Sequence, residues 1–153
     1  MKERIALLCR ALRAGQPAVT ALVTGCRGAT PRSPGALLVL TSEDVAGTVG
    51  GGQAEHDILA PAQEMLGSGP AVQQGWHQCL SAEELRHMGQ EYGGEEEILL
   101  LRWTSQDLPL AEQMVLAMEQ NADCSLQIEY KEDCWRGTLL PEAVTAAGEG
   151  CFT

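Results

Sequence analysis

Ala18-Val19-Thr20-Ala21-Leu22-Val23-Thr24 and Ala36-Leu37-Leu38-Val39-Leu40 are short apolar, β-leaning runs, and between them lies Gly25-Cys26-Arg27-Gly28-Ala29-Thr30-Pro31-Arg32-Ser33-Pro34-Gly35. Runs of this length bounded by Gly and Pro signal strands, and the segment between is too rich in turn residues for a helix. Two strands joined by a structured loop are therefore expected, and the neighbouring elements follow from them. Upstream, Ile5, Leu8, Cys9 and Leu12 recur at helical spacing until Gly15 and Pro17. Downstream, Val45 to Val49 is a further short strand that runs into Gly50-Gly51-Gly52, then a helix-prone stretch from Gln53 to Leu66 that Pro61 should kink or divide.

The second half continues in the same manner. Val72 to Leu80 is weakly alternating, and Ser81-Ala82-Glu83-Glu84 is a capping box for a short helix to about His87. Tyr92-Gly93-Gly94 turns the chain into Ile98 to Trp103, a buried-looking strand. Leu108, Ala111, Val115 and Met118 share a helical face that stops near Asn121. Cys124, Leu126, Ile128 and Tyr130 then alternate, and Lys131-Glu132-Asp133 turns into Trp135 to Leu140. The tail from Pro141 to Thr153 caps the core or frays. The sum is an α+β fold: a mixed, largely antiparallel sheet with helices packed against it, in a single domain of 153 residues.

Charge excludes several functions. Ten Lys and Arg against 21 Asp and Glu give a net charge of −11, so no basic stripe exists to neutralise nucleic-acid phosphates. No apolar run approaches the roughly 20 residues needed to span a bilayer, which predicts a cytoplasmic protein without a membrane span. Cys9, Cys26, Cys79, Cys124, Cys134 and Cys151 contain no C-x-x-C pair, so free thiols are expected rather than a disulfide framework or zinc site.

Three places could carry chemistry. Gly50-Gly51-Gly52, after a strand and before a helix, leaves backbone N–H groups uncovered at the positive end of a helix dipole and makes a candidate anion cradle. Two prolines restrict the backbone around Arg32, so its fork of donors can be held toward an anion. Glu55 would repel a phosphate there, and suits a donor-rich edge such as the amino and ring N–H pair of a pterin or guanine. Each has a plain alternative: a tight turn, a stiff surface loop and a helix-dipole residue. His56, His77 and His87 share no metal-ligand spacing, and no G-x-S-x-G is present.

Taken together, Ala21 to Thr24, Gly28-Ala29-Thr30-Pro31-Arg32-Ser33-Pro34-Gly35-Ala36 and Gly47-Thr48-Val49-Gly50-Gly51-Gly52-Gln53-Ala54-Glu55 resemble the N-terminal domain of the XdhC/CoxI family. The family's members are accessory proteins of xanthine dehydrogenase and related molybdenum hydroxylases. Tyr92-Gly93-Gly94, followed by Ile98 to Leu101, sits where the family has Cys-Gly-Gly before an apolar strand. The resemblance implies a cofactor-binding chaperone rather than an enzyme. It would bind molybdenum cofactor (molybdopterin) as cargo, protect it during sulfuration, and deliver it to a xanthine dehydrogenase-like hydroxylase, with a cysteine desulfurase as a further candidate partner. The residues it points to are Arg32, Gly35, Gly50, Gly51, Gly52, Gln53, Glu55, Tyr92, Gly93 and Gly94, with no resident metal and no catalytic residue.

Gln53 stands where many relatives have Cys, and Tyr92 replaces the Cys of Cys-Gly-Gly. A thiolate role at those positions is thereby removed, and Cys26 is the nearby substitute. The Rossmann-like C-terminal domain of longer relatives has no glycine fingerprint here, so it is expected to be absent. Two other readings stay open: a partner-binding module of the same fold that has lost the cofactor, and a small enzyme acting on a phosphorylated ligand through Glu55 or His56. A homo-oligomer is compatible with all three, since a shallow site is often closed by a second copy.

Overall fold

The structure is a computed structural model and describes residues 1–28, 30, 33–80, 82–88, 94–141 and 151–152. Its centre is β1 (Ala18–Arg27), flanked by β2 (Leu37–Leu40) and β5 (Glu95–Trp103), with β3 (Val45–Gly47) and β4 (Val72–Gln78) at the edges, in the order β3-β2-β1-β5-β4. Every ladder of this sheet is antiparallel. The sheet is buried on both faces, and the two-residue period divides the apolar side chains between them. Leu22, Leu37, Val39, Leu99, Leu101 and Trp103 enter one core, whereas Val19, Ala21, Val23, Leu38, Leu40, Ile98 and Leu100 enter the other.

The first core is covered by α1 (Lys2–Arg13) and α4 (Leu108–Glu119), and by a second sheet of β6 (Ser125–Tyr130), β7 (Trp135–Leu140) and β8 (Cys151–Phe152) in the order β7-β6-β8. Three polar contacts pin these parts together. Trp103 Nε1 donates to Thr20 Oγ1 at 2.9 Å, Trp135 Nε1 donates to the Arg102 carbonyl at 2.9 Å, and Tyr130 Oη donates to Gln74 Oε1 at 2.9 Å. The two indoles meet at 4.6 Å between centroids. Burying Trp in this way requires its N–H to find an acceptor, and both do.

The second core is covered by α2 (Gly52–Gly67) through Ala54, Ile58, Ala62 and Met65. Pro61 was expected to kink or divide this helix, yet α2 runs as one element. An internal Pro costs about 3 kcal/mol through its missing N–H and ring clash, and apolar residues buried on both sides of it hold the helix to the sheet. Other boundaries also shift. β1 continues past Thr24 to Arg27 through a register irregularity between Val23 and Gly25, and β5 begins at Glu95. β3 ends at Gly47, because Thr48 and Val49 turn away to meet Glu55. In the tail, Cys151–Phe152 pairs with Leu126 and Gln127.

Candidate functional site

Strand direction brings the sequence motifs together. β1 ends at Arg27, opposite Glu95 at the start of β5, which is opposite Gln78 at the end of β4. β2 starts beside Leu22, and Gly47 at the end of β3 lies opposite Leu38. The Pro-Arg loop, the glycine turn and the chain entering β5 at Gly94 therefore leave the same end of the sheet. Gly35, Gly50, Gly51, Gly52, Gln53, Glu55 and Gly94 are placed there. Arg32, Tyr92 and Gly93 lie outside the described residues, as does Ser81, the cap expected for α3 (Ala82–Met88).

The glycine turn has a local cause. Gly50, Gly51 and Gly52 have φ of 117°, 71° and 66°, three consecutive values that side-chain-bearing residues rarely adopt. A Cβ on Gly52 would lie 2.6 Å from the Cys79 carbonyl oxygen, whereas one on Gly51 would meet nothing within 4 Å. Glu55 fastens the turn from the first turn of α2. Its Oε1 accepts from Thr48 Oγ1 at 2.5 Å and from Val49 N at 3.1 Å. Gly50 N donates to Thr48 Oγ1 at 2.9 Å, and Gln53 N donates to the Cys79 carbonyl at 3.2 Å. Among the described residues no acceptor is recorded for the amides of Gly51 and Gly52, so the cradle expected from the sequence narrows to that pair.

Gln53 Nε2 donates to Asp57 Oδ1 at 2.5 Å, one helical turn on. Gly35, with φ of 100°, donates its N–H to the Val23 carbonyl at 2.8 Å and closes the Pro-Arg loop onto β1. Gly94 is buried, and its carbonyl accepts from Cys79 N at 2.9 Å. His56 is exposed.

A second group of residues at this end was not singled out in the sequence. Glu96 is 0% exposed, although a carboxylate is among the costliest groups to bury. Its cross-strand partners are Cys26 on β1 and His77 on β4. Burial raises the Cys79 thiol pKa to about 11, and the Glu96 charge, Cys26 and a hydrogen bond with Glu96 push it the same way. Burial lowers the pKa of His77, and the Asp57 carboxylate opposes that shift. At physiological pH Cys79 is therefore a thiol and His77 a neutral imidazole. Alternation could have located Glu96: in Glu95-Glu96-Glu97-Ile98-Leu99-Leu100 the middle carboxylate shares its face with Ile98 and Leu100.

On the opposite face of the same strands, Glu97 Oε1 accepts from Thr24 Oγ1 at 2.8 Å. The Arg27 guanidinium sits 3.7 Å over the Trp76 ring and 3.7 Å from Glu95. Deeper on this face is an apolar cavity of about 150 Å³ between α1, α4 and the second sheet, lined by residues such as Leu22, Trp103, Met114 and Ile128, with Gly35 on its wall. No lining side chain is charged. Among the described residues no group of three or more His, Cys, Asp or Glu could hold a metal ion, and no helix is long and apolar enough to cross a membrane.

Fold and site together define an α+β domain with one glycine-rich sheet end. Residues 11–74 match the model of the XdhC and CoxI family. The match holds both the Pro-Arg loop and the glycine turn. A solved structure described as a xanthine dehydrogenase from Bacillus halodurans has a similar fold, with a TM-score of 0.68 at 15% identity, covering 95% of this chain. The chain spans 44% of that protein's length. No curated protein matches the chain.

Proposed function

We propose that the chain is an accessory protein that binds molybdenum cofactor at the glycine-rich end of the main sheet and hands it to a molybdenum hydroxylase of the xanthine dehydrogenase type. The observation that carries this reading is the convergence of the Pro-Arg loop, the glycine turn and the entry to β5 at one sheet end, in a chain whose residues 11–74 match the model of the XdhC and CoxI family. The cofactor's phosphate suits the Gly51 and Gly52 amides at the start of α2, together with Arg32. Its donor-rich pterin edge suits a carboxylate, and Glu55 stands beside the turn, with Oε1 already engaged in ordering it. In this reading the protein binds, shields and releases its cargo, and sulfuration is carried out on the bound cofactor by a cysteine desulfurase in the cytoplasm. Gln53 leaves no thiol at the turn itself, and Cys79 is in backbone contact with Gln53.

The inward-turned amides of Gly50 and Gln53 favour a second reading, a module of the same fold that binds the hydroxylase without the cofactor. Anaerobic incubation with free molybdenum cofactor, gel filtration and pterin fluorescence after oxidation separate the two. The carrier retains cofactor stoichiometrically, and retention drops at least tenfold in Arg32→Ala and falls in Glu55→Gln, with far-UV circular dichroism unchanged. A folded wild-type protein that retains no pterin establishes the second reading instead.

A further inference from the structure

Among the described residues the two sheets end in four edge strands, and three of them are blunted. β3 is three residues long and follows Glu43 and Asp44. β8 has two residues, and β7 carries Arg136, paired with Glu129 at 2.7 Å, just after Glu132 and Asp133. Short length and charge are the usual devices that stop an edge from pairing with another chain. β4 has neither. It is seven residues long, pairs with β5 in unbroken register from Val72 to Gln78, and contains no proline. Residues 65–82 around it hold no Asp, Glu, Lys or Arg, in a chain with 21 acidic and 10 basic residues.

The direction of its backbone groups follows from two flanking bonds. Cys79 N donates to the Gly94 carbonyl, and the Ala71 carbonyl accepts from Arg102 N, so the odd-numbered residues turn toward β5. By the two-residue period, Val72, Gln74, Trp76 and Gln78 turn their N–H and C=O groups outward, where among the described residues the sheet has no further strand. Trp76, 36% exposed, is among the few large apolar side chains at the surface.

We propose that β4 is a self-pairing edge: two copies of the chain join antiparallel along Val72–Gln78, with the two-fold axis at Gly75, and extend the five-stranded sheet across the dimer. Two arguments select a second copy as the occupant. A net charge of −11 sets copies against each other over most of their surface, whereas this strand carries no charge of its own and the Arg27 cation over Trp76 is balanced by Glu95, so two copies can approach here without opposing net charges. A basic partner would instead be drawn to the acidic surface elsewhere. A two-fold perpendicular to a sheet must also pair one residue with itself, because directly opposite residues point to the same face. Gly75 is the midpoint of the strand, so pairing through it engages its full length. Val72 then faces Gln78 of the second copy, and Gln74 faces its Trp76.

Gly75 turns its backbone groups toward β5, so the self-pair at the axis is of the non-hydrogen-bonded type, with Cα atoms about 4.5 Å apart and within disulfide range. A Cβ at Gly75 finds its nearest neighbour, His77 Nε2, at 3.5 Å, an ordinary contact, so a side chain fits there.

Multi-angle light scattering on the full chain, with mild oxidation of a Gly75→Cys variant, tests the pairing. The expected results are a dimer for wild type, a monomer for the Gln74→Lys/Trp76→Lys double variant with unchanged far-UV circular dichroism, and a reducible Gly75→Cys dimer in at least tenfold excess over wild type. A monomeric wild type, or a dimer that survives the folded double variant, overturns the proposal. Failure of cofactor retention leaves it untouched, since the mass of the particle is read without any ligand.

Discussion

Side-chain hydrogen bonds close turns at both ends of the main sheet, and one end adds three consecutive positive-φ glycines and a buried carboxyl group to them. The β2–β3 turn shows the plainer end. Thr41 Oγ1 accepts from Glu43 N at 3.3 Å and Asp44 N at 3.0 Å, and Ser42 Oγ donates to Gln16 Oε1 at 2.7 Å. Nearby, Arg102 Nη1 donates to the carbonyls of Met65 at 3.3 Å in the last turn of α2 and of Gly69 at 3.0 Å beyond it, and Asp107 Oδ2 accepts from Thr104 N at 2.9 Å. The glycine-rich end instead combines three consecutive left-handed glycines with a fully buried carboxylate. Backbone that only glycine adopts readily and a buried carboxyl group both restrict which side chains those positions tolerate. The contrast marks the end of the sheet to which the proposed binding site is assigned.

The sharpest way to break the contrast is to substitute one glycine at each end. Gly52→Ala combines a left-handed backbone with a Cβ at 2.6 Å from the Cys79 carbonyl oxygen and should cost about 3 kcal/mol. Gly15→Ala has a similar φ of 75° but nothing within 4 Å, and should cost about 1 kcal/mol. Urea denaturation with an unchanged slope checks both values, and equal costs would erase the distinction.

Cys79 supplies the next effect. Its folded pKa of about 11 lies above the ordinary value of 9.0, so its contribution to stability is complete below pH 9 and is lost as pH rises through 11. Two pH units correspond to about 2 to 3 kcal/mol. Cys79→Ala should flatten the stability profile in that window, and a profile identical to wild type would contradict the assignment. The smallest effect belongs to the plainer end. Thr41→Ala removes a buried hydroxyl that accepts from two turn amides and should lower stability by about 1 kcal/mol in the same denaturation, without altering cofactor retention.

Much of the scaffold was legible in the sequence, because apolar alternation and helical spacing are local signals. Ala18 to Thr24 and Ala36 to Leu40 announced strands, and Ile5, Leu8, Cys9 and Leu12 announced α1. The extension of β1 through Gly25 and Cys26 was not legible, since those residues carry turn signals and become strand only by pairing with Glu96 and Glu97. The single helix through Pro61 depends likewise on tertiary burial. At the site, the glycine turn and Glu55 were visible as a motif. The hydrogen bonds that turn Gly50 inward, and the placement of Cys79 against Gln53, depend on the path of α2 across the sheet end.

Hydrogen exchange on the purified chain, with and without molybdenum cofactor under anaerobic conditions, tests the central claim most directly, because it reads both sheet ends in one experiment. The account predicts protection confined to peptides spanning residues 28–36, 48–55 and 79–95, with the 14–17, 41–44 and 104–107 turns unchanged. Protection at those opposite turns, or none at the glycine turn while cofactor is bound, would contradict it.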